Sequence, residues 1–189
     1  KSFTAATLLG LRDDGLLDLD TPVVTHVPEL AAGGPAAEQI TVRQLMTMGG
    51  GFLTDDPWGD RQQSLAIDEL RRLVASGLTP TLAPGEWFEY SNLGYALLGL
   101  VIESVTGVAY PDAVRRWVLD PLGMVSSGYE VTDVGGAAVA SGYVRRSTGW
   151  ALEEIAASGA FSPRGGLLST VNDLARWVAV LQSVHADHS

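Results

Sequence analysis

The sequence predicts an α+β domain, rich in helix, with only short strands. Three observations carry this. Apolar residues recur at helical spacing behind clear capping residues at 41–46, 92–106 and 171–184. The extended runs between them are short and sparse. Glycine (22) and proline (9) cut the intervening chain into turns and loops. With 189 residues and 46% hydrophobic content, the chain suffices for one domain with a sizeable core.

Lys1–Leu11 reads as a helix with Phe3, Leu8 and Leu11 inward, stopped by Asp13-Asp14-Gly15. Leu16–Asp20 alternates Leu and Asp and reads as a short extended piece. Thr21–Pro35, with Pro22, Pro28, Gly33, Gly34 and Pro35, reads as loop. Thr41 with Gln44 forms a capping-box pattern, so a helix runs through Val42, Leu45 and Met46 to the stop at Gly49-Gly50-Gly51. Phe52–Asp60 reads as a loop. Its Asp55-Asp56-Pro57-Trp58-Gly59-Asp60 is an ordinary turn with a packed Trp or the rim of a cleft. Ser64–Ser76 is an amphipathic helix with Leu65, Leu70, Leu73 and Val74 on one face, and Gly77 stops it.

Pro84-Gly85 marks a turn, and Trp87-Phe88-Glu89-Tyr90 has strand character. Ser91 or Asn92 then caps the most apolar helix, Asn92–Thr106, whose Gly94 and Gly99 imply close neighbours and which ends at Gly107. In extended backbone, positions two apart face the same side, so Tyr90 and Asn92 share one cleft in this reading. A phenol moves protons; a carboxamide binds a carbonyl or orients a lysine. The competing reading is a core Tyr followed by a capping Asn.

Tyr110–Leu119 reads as a further helix, closed by Pro121-Leu122-Gly123-Met124. Ser126–Trp150 is rich in Gly, Val and Ser, with one candidate strand at Ala137–Val144. Ser162–Thr170 is a turn. Thr170 caps a helix over Val171–Val184 with Leu174, Trp177, Val178 and Leu181 inward. His185 and His188 fall in a polar tail that nothing marks as a metal site.

Net charge is −10, which argues against a nucleic-acid or anionic-membrane partner, since either needs a basic face. Cysteine is absent, which removes disulfides, thiol catalysis and thiolate metal sites. No apolar run is long enough to span a bilayer. The first residue is Lys rather than Met, so the N-terminus reads as processed, excised or incomplete, and any signal sequence would precede it.

Several motifs, in order, resemble the serine β-lactamase-like family: class C β-lactamases, DD-peptidases, and related esterases and D-aminopeptidases. Lys1-Ser2-Phe3-Thr4-Ala5 resembles the end of Ser-x-x-Lys running into F-T-A, followed by Gly15-Leu16-Leu17-Asp18-Leu19-Asp20. Ile40–Gly51 resembles I-T-I-R-H-L-L-T-H-T-S-G, with Met48 in place of a His. Pro84–Asn92 resembles P-G-x-x-F-x-Y-S-N, which holds the family's Tyr-x-Asn. Glu103–Gly107, Pro121–Met124 and Ser162–Thr170 resemble its packing and turn segments. The likeness covers essentially the whole chain.

The resemblance implies a serine hydrolase acting on amide, ester or β-lactam carbonyls through an acyl-enzyme. Lys1 and Tyr90 are then catalytic and Asn92 binds substrate. The nucleophilic Ser belongs three residues before Lys1, outside this sequence. Residues three apart on a helix share a face, so the amine reaches the hydroxyl. Lys or Tyr serves as the base that a free Ser needs. No metal or organic cofactor is implied, and the partner is a small-molecule or peptide substrate.

The family fold implies that residues 1–189 are a partial domain, mainly the helical part. The N-terminal strands, most of the antiparallel sheet and the third catalytic motif then lie elsewhere. Such a piece exposes the face meant for the sheet and turns over no substrate alone. The family also implies an extracytoplasmic setting and a hairpin after the Gly-Tyr at 142–143. The alternative is a non-catalytic binding or structural protein that keeps the fold.

Overall fold

A computed structural model describes residues 1–56, 58–134 and 139–186, the last two by backbone alone. The helices are α1 (Ser2–Asp13), the one-turn α2 (Pro35–Glu38), α3 (Val42–Met46), α4 (Ile67–Ala75), α5 (Asn92–Thr106), α6 (Tyr110–Val114) and α7 (Val171–Ala186). A two-stranded antiparallel hairpin joins β1 (Gly142–Arg146) to β2 (Gly149–Glu153), pairing Tyr143 with Leu152 and Arg145 with Trp150.

Helix α5 is the hub. Every residue from Asn92 to Ile102 is buried, because neighbours cover it on all sides. These are α1, α3, α6 and the 3₁₀ turn Ser162–Arg164. Gly99 is where that turn presses closest: a Cβ there would meet Pro163 Cγ at 2.3 Å. The helix starts on Ser91, extended at φ −135°, whose hydroxyl accepts Gly94 N–H at 3.1 Å. It ends on Gly107 at φ +69°, the left-handed cap that glycine adopts without strain.

The Thr41–Gln44 capping box forms in both directions. Thr21–Pro35 holds two 3₁₀ turns, Val23–Thr25 and Pro28–Gly33. Helix α4 starts at Ile67, after Ser64, because Leu65 instead offers its carbonyl to Ala160 N–H at 2.7 Å. Past Val114, α6 widens into a π-helical turn over Arg115–Leu119. Trp87–Tyr90 is not a strand: among the described residues no strand edge lies beside it, and Glu89 N–H donates instead to the Met48 carbonyl, 2.9 Å. The strand expected at Ala137–Val144 starts only at Gly142; its first two residues lie outside the described ones. Thr170 caps α7 through Asp173 N–H, 3.2 Å.

Helix α7 corrects one more expectation. Trp177 is buried and stacks on Phe3 at 4.6 Å. Leu174, Val178 and Leu181, read as inward, are 41%, 48% and 49% exposed. Their spacing does make one helical stripe, but no described element packs over it. Among the described residues no single helix is long and apolar enough to cross a membrane.

Behind the Ser162–Arg164 turn lies a buried hydroxyl chain. Thr4 Oγ donates to the Pro163 carbonyl at 2.6 Å, so it accepts from Tyr110 (2.8 Å), which in turn accepts from Tyr129 (2.8 Å). Burial pushes the Tyr110 phenol up to about 12 and raises Tyr129 well above its ordinary value. Both therefore stay protonated and keep donating.

Candidate active site

Two helix N-termini and one turn converge on Lys1. It sits at the N-terminus of α1, with Asn92 opening α5 and Arg164 ending the 3₁₀ turn. Lys1 Nζ donates to Asn92 Oδ1 at 2.7 Å and to the Arg164 carbonyl at 3.0 Å. The same ammonium lies 4.7 Å from the Tyr90 ring centre and 5.4 Å from that of Tyr95. The three residues singled out in the sequence, Lys1, Tyr90 and Asn92, thus form one cluster, although Lys1 and Asn92 are 91 positions apart.

Tyr90 and Tyr95 differ in how they are held. Tyr95 is buried, and its hydroxyl donates to the Met46 carbonyl at 3.0 Å. Burial first, then the neighbouring Tyr90, pushes its phenol upward. Tyr90 is 37% exposed; among the described residues no hydrogen bond engages its hydroxyl. Tyr90 is thus the phenol open to an incoming molecule.

Met48 sets where Tyr90 lies. It is the one described non-glycine residue at positive φ, +60°, a conformation that costs energy for a side chain with Cβ. The kink turns its carbonyl to Glu89 N–H (2.9 Å) and its sulfur to Ser91 N–H (3.5 Å), one on either side of Tyr90.

The loop 52–60, read mainly as a turn, wraps the opposite side of Asn92. Asp55 accepts Asn92 N–H at 2.8 Å and Leu93 N–H at 2.6 Å, satisfying free donors at the start of α5. Asp56 accepts Asn92 Nδ2 at 2.6 Å. Thr54 donates from backbone and hydroxyl to Glu89, which holds that carboxyl below its usual value. Trp58 packs edge-on against Phe161 at 5.6 Å. Asp60 receives Arg164 through its carboxylate (3.0 Å) and its carbonyl (2.7 Å).

Sequence reasoning left Asp56, Asp60 and Arg164 without a role. The legible signal was three carboxylates in one short loop with a glycine among them. Their partners could not be read, because Asp56–Asn92 and Asp60–Arg164 are contacts across 36 and 104 positions. Among the described residues no three His, Asp or Glu side chains gather as a metal site. His188 and the His185 side chain lie outside the described ones.

Comparison with known proteins gives the family and the fold. The Beta-lactamase family model matches residues 1–188, and the chain belongs to that family. Protein flp of Staphylococcus aureus (strain COL) is 29% identical over 182 residues, covering 94% of this chain and 36% of flp. The chain thus spans little more than a third of that relative's length. The octameric penicillin-binding protein homologue from Pyrococcus abyssi superposes with a TM-score of 0.73 at 32% identity, over 94% of this chain and 42% of that one. A class C β-lactamase gives 0.74 at 25% identity, over 94% and 47%. The fold is therefore β-lactamase/transpeptidase-like.

Proposed function

We propose that the protein carrying this chain is a serine hydrolase that opens amide, ester or β-lactam carbonyls through an acyl-enzyme. The observation that carries the reading is the Lys1–Asn92 hydrogen bond at 2.7 Å beside the open Tyr90 phenol. It brings an amine, a phenol and a carboxamide together in a member of a family of serine hydrolases.

In this reading the nucleophilic Ser stands three residues before Lys1, one helical turn away on the same face of α1. Its Oγ bonds to the substrate carbonyl carbon as its proton passes to the Lys1 amine or the Tyr90 oxygen. The bond to the leaving nitrogen or oxygen breaks, and that proton moves on to the leaving group. Water then attacks the ester by the reverse relay and frees the acid. Asn92 holds Lys1 through its oxygen, while its amide nitrogen donates to Asp56. Residues 1–189 form a partial domain in this account, with the rest of the sheet and the third motif contributed by other segments.

The test is hydrolysis of a p-nitrophenyl ester and a chromogenic cephalosporin by a protein that includes the residue three before Lys1. Lys1→Ala and Tyr90→Phe are each expected to lower kcat/KM by about 10²-fold or more, the size of a general acid–base contribution. Wild-type turnover unaffected by both would refute the roles. A folded protein with no turnover of either substrate and no acylation would favour the non-catalytic alternative.

A further inference from the structure

We propose that Asp56 is a positioning residue: it locks the Asn92 carboxamide with its oxygen toward Lys1, as part of an acidic loop that clamps the site from both ends. The catalytic part of this rests on the acyl-transfer reading above; the lock itself does not.

A carboxamide has one accepting and one donating end, and nothing in its shape prevents a flip. Here both ends are engaged. The oxygen accepts from Lys1 Nζ at 2.7 Å, and the nitrogen donates to Asp56 Oδ1 at 2.6 Å. Flipped, the amide would set its NH₂ against the ammonium and its oxygen against the carboxylate. Two donors and two acceptors would then face each other, and both bonds would be lost. Asn92 is fully buried, so water cannot repair that mismatch.

The rest of the loop holds Asp56 in place. Asp55 grips the first N–H groups of α5. Gly59 lies against Asn92: a Cβ there would stand 2.8 Å from Asn92 Cβ and 3.1 Å from its Nδ2. Glycine at 59 therefore permits the approach. Asp60 then ties down Arg164, whose carbonyl is the second acceptor for Lys1 Nζ. A closed circuit results: Lys1 to Asn92, Asn92 to Asp56, along the loop to Asp60, across to Arg164, and back to Lys1. Each acceptor of the lysine is thus fixed by the same loop. Asp56 touches Asn92 rather than the reacting atoms and acts through it.

The experiment compares Asp56→Ala and Asp56→Asn with wild type in a protein that includes the residue three before Lys1. The Asn variant keeps the shape and an accepting oxygen, so it separates the hydrogen bond from the charge. One arm reads the Asn92 side-chain NH₂ by ¹⁵N NMR. Wild type and Asp56→Asn are expected to show one amide proton shifted downfield and slow to exchange. Asp56→Ala is expected to lose both features while keeping its backbone spectrum and Tm. An Asn92 amide unchanged in Asp56→Ala would overturn the lock. The second arm is ester turnover. Asp56→Ala is expected to lower kcat by about 10²-fold with KM little changed, as a small misplacement of a catalytic group does; Asp56→Asn restores most of it. Equal kcat in wild type and Asp56→Ala, or no rescue by Asp56→Asn, would overturn the positioning role. If wild type itself turns over no ester, the acyl-transfer reading fails, and the NMR arm alone decides the lock.

Discussion

Met48 shows how a single residue shapes this site. Its strained backbone and its sulfur bracket Tyr90 from below, and its side chain is nearly buried. Met48→Ala is expected to cost about 2–4 kcal/mol, from lost burial plus a cavity. Met48→Leu keeps the volume and should cost less, about 1 kcal/mol. Urea titration of the two variants checks the order; an Ala variant as stable as the Leu would contradict it. His26 makes a separate point at the same scale. Burial lowers its pKa below 6.5, so the folded state resists the proton that the unfolded chain accepts. Its contribution is complete above 6.5 and is lost as pH falls through the lowered folded value. Tm should therefore fall as pH drops below about 7 through the lowered folded value, and less steeply in His26→Gln. Equal slopes would show that His26 does not matter. The replacement of His by Met at 48 was visible in the sequence. Its effect on Tyr90 was not, because positive φ and a sulfur contact leave no local pattern.

At the scale of elements, α5 is held at its start by Asp55 and at its middle by Pro163. Asp55→Ala removes the acceptor of two N–H groups and should cost about 1–2 kcal/mol. Gly99→Ala would drive a methyl into Pro163, an overpacking expected to cost about 1–3 kcal/mol. It would also push Arg164 away from Lys1, so kcat should fall together with Tm; a stability loss with intact kcat would separate the turn from the site. The bounds of α5 could be read directly, since Ser91, the apolar run and Gly107 are local signals. The aromatic run 87–90 looked like a strand because composition favours one. Strand formation needs a neighbouring edge, and that is a tertiary fact. The same limit hid the loop 52–60, whose composition says turn and whose function lies in distant partners.

For the whole molecule, order of motifs carried more than any one of them. Tyr-x-Asn alone is common, but the series from Lys1 to Thr170 in family order led to the β-lactamase-like fold that the structure shows. The cluster of Lys1, Tyr90 and Asn92 followed from that alignment, and not from spacing, which relates only Tyr90 to Asn92. Two surfaces differ from a closed globule. The α7 stripe of Leu174, Val178 and Leu181 is exposed, as are Tyr143, Trp150 and Leu152 on the hairpin. In the proposed whole protein the remaining sheet covers the stripe. The 189-residue chain alone should therefore bind a hydrophobic dye, and Val178→Glu with Leu181→Glu should reduce that binding; dye binding unchanged by the pair would place the apolar surface elsewhere.

The central claim is that an activated serine stands one turn before Lys1. It is tested most directly by intact mass spectrometry of a protein that includes that residue, before and after a fluorophosphonate. The account predicts a single covalent adduct on the residue three before Lys1, formed much more slowly in Lys1→Ala. A folded protein that gains no mass, or an adduct on a serine within residues 1–189, would contradict it.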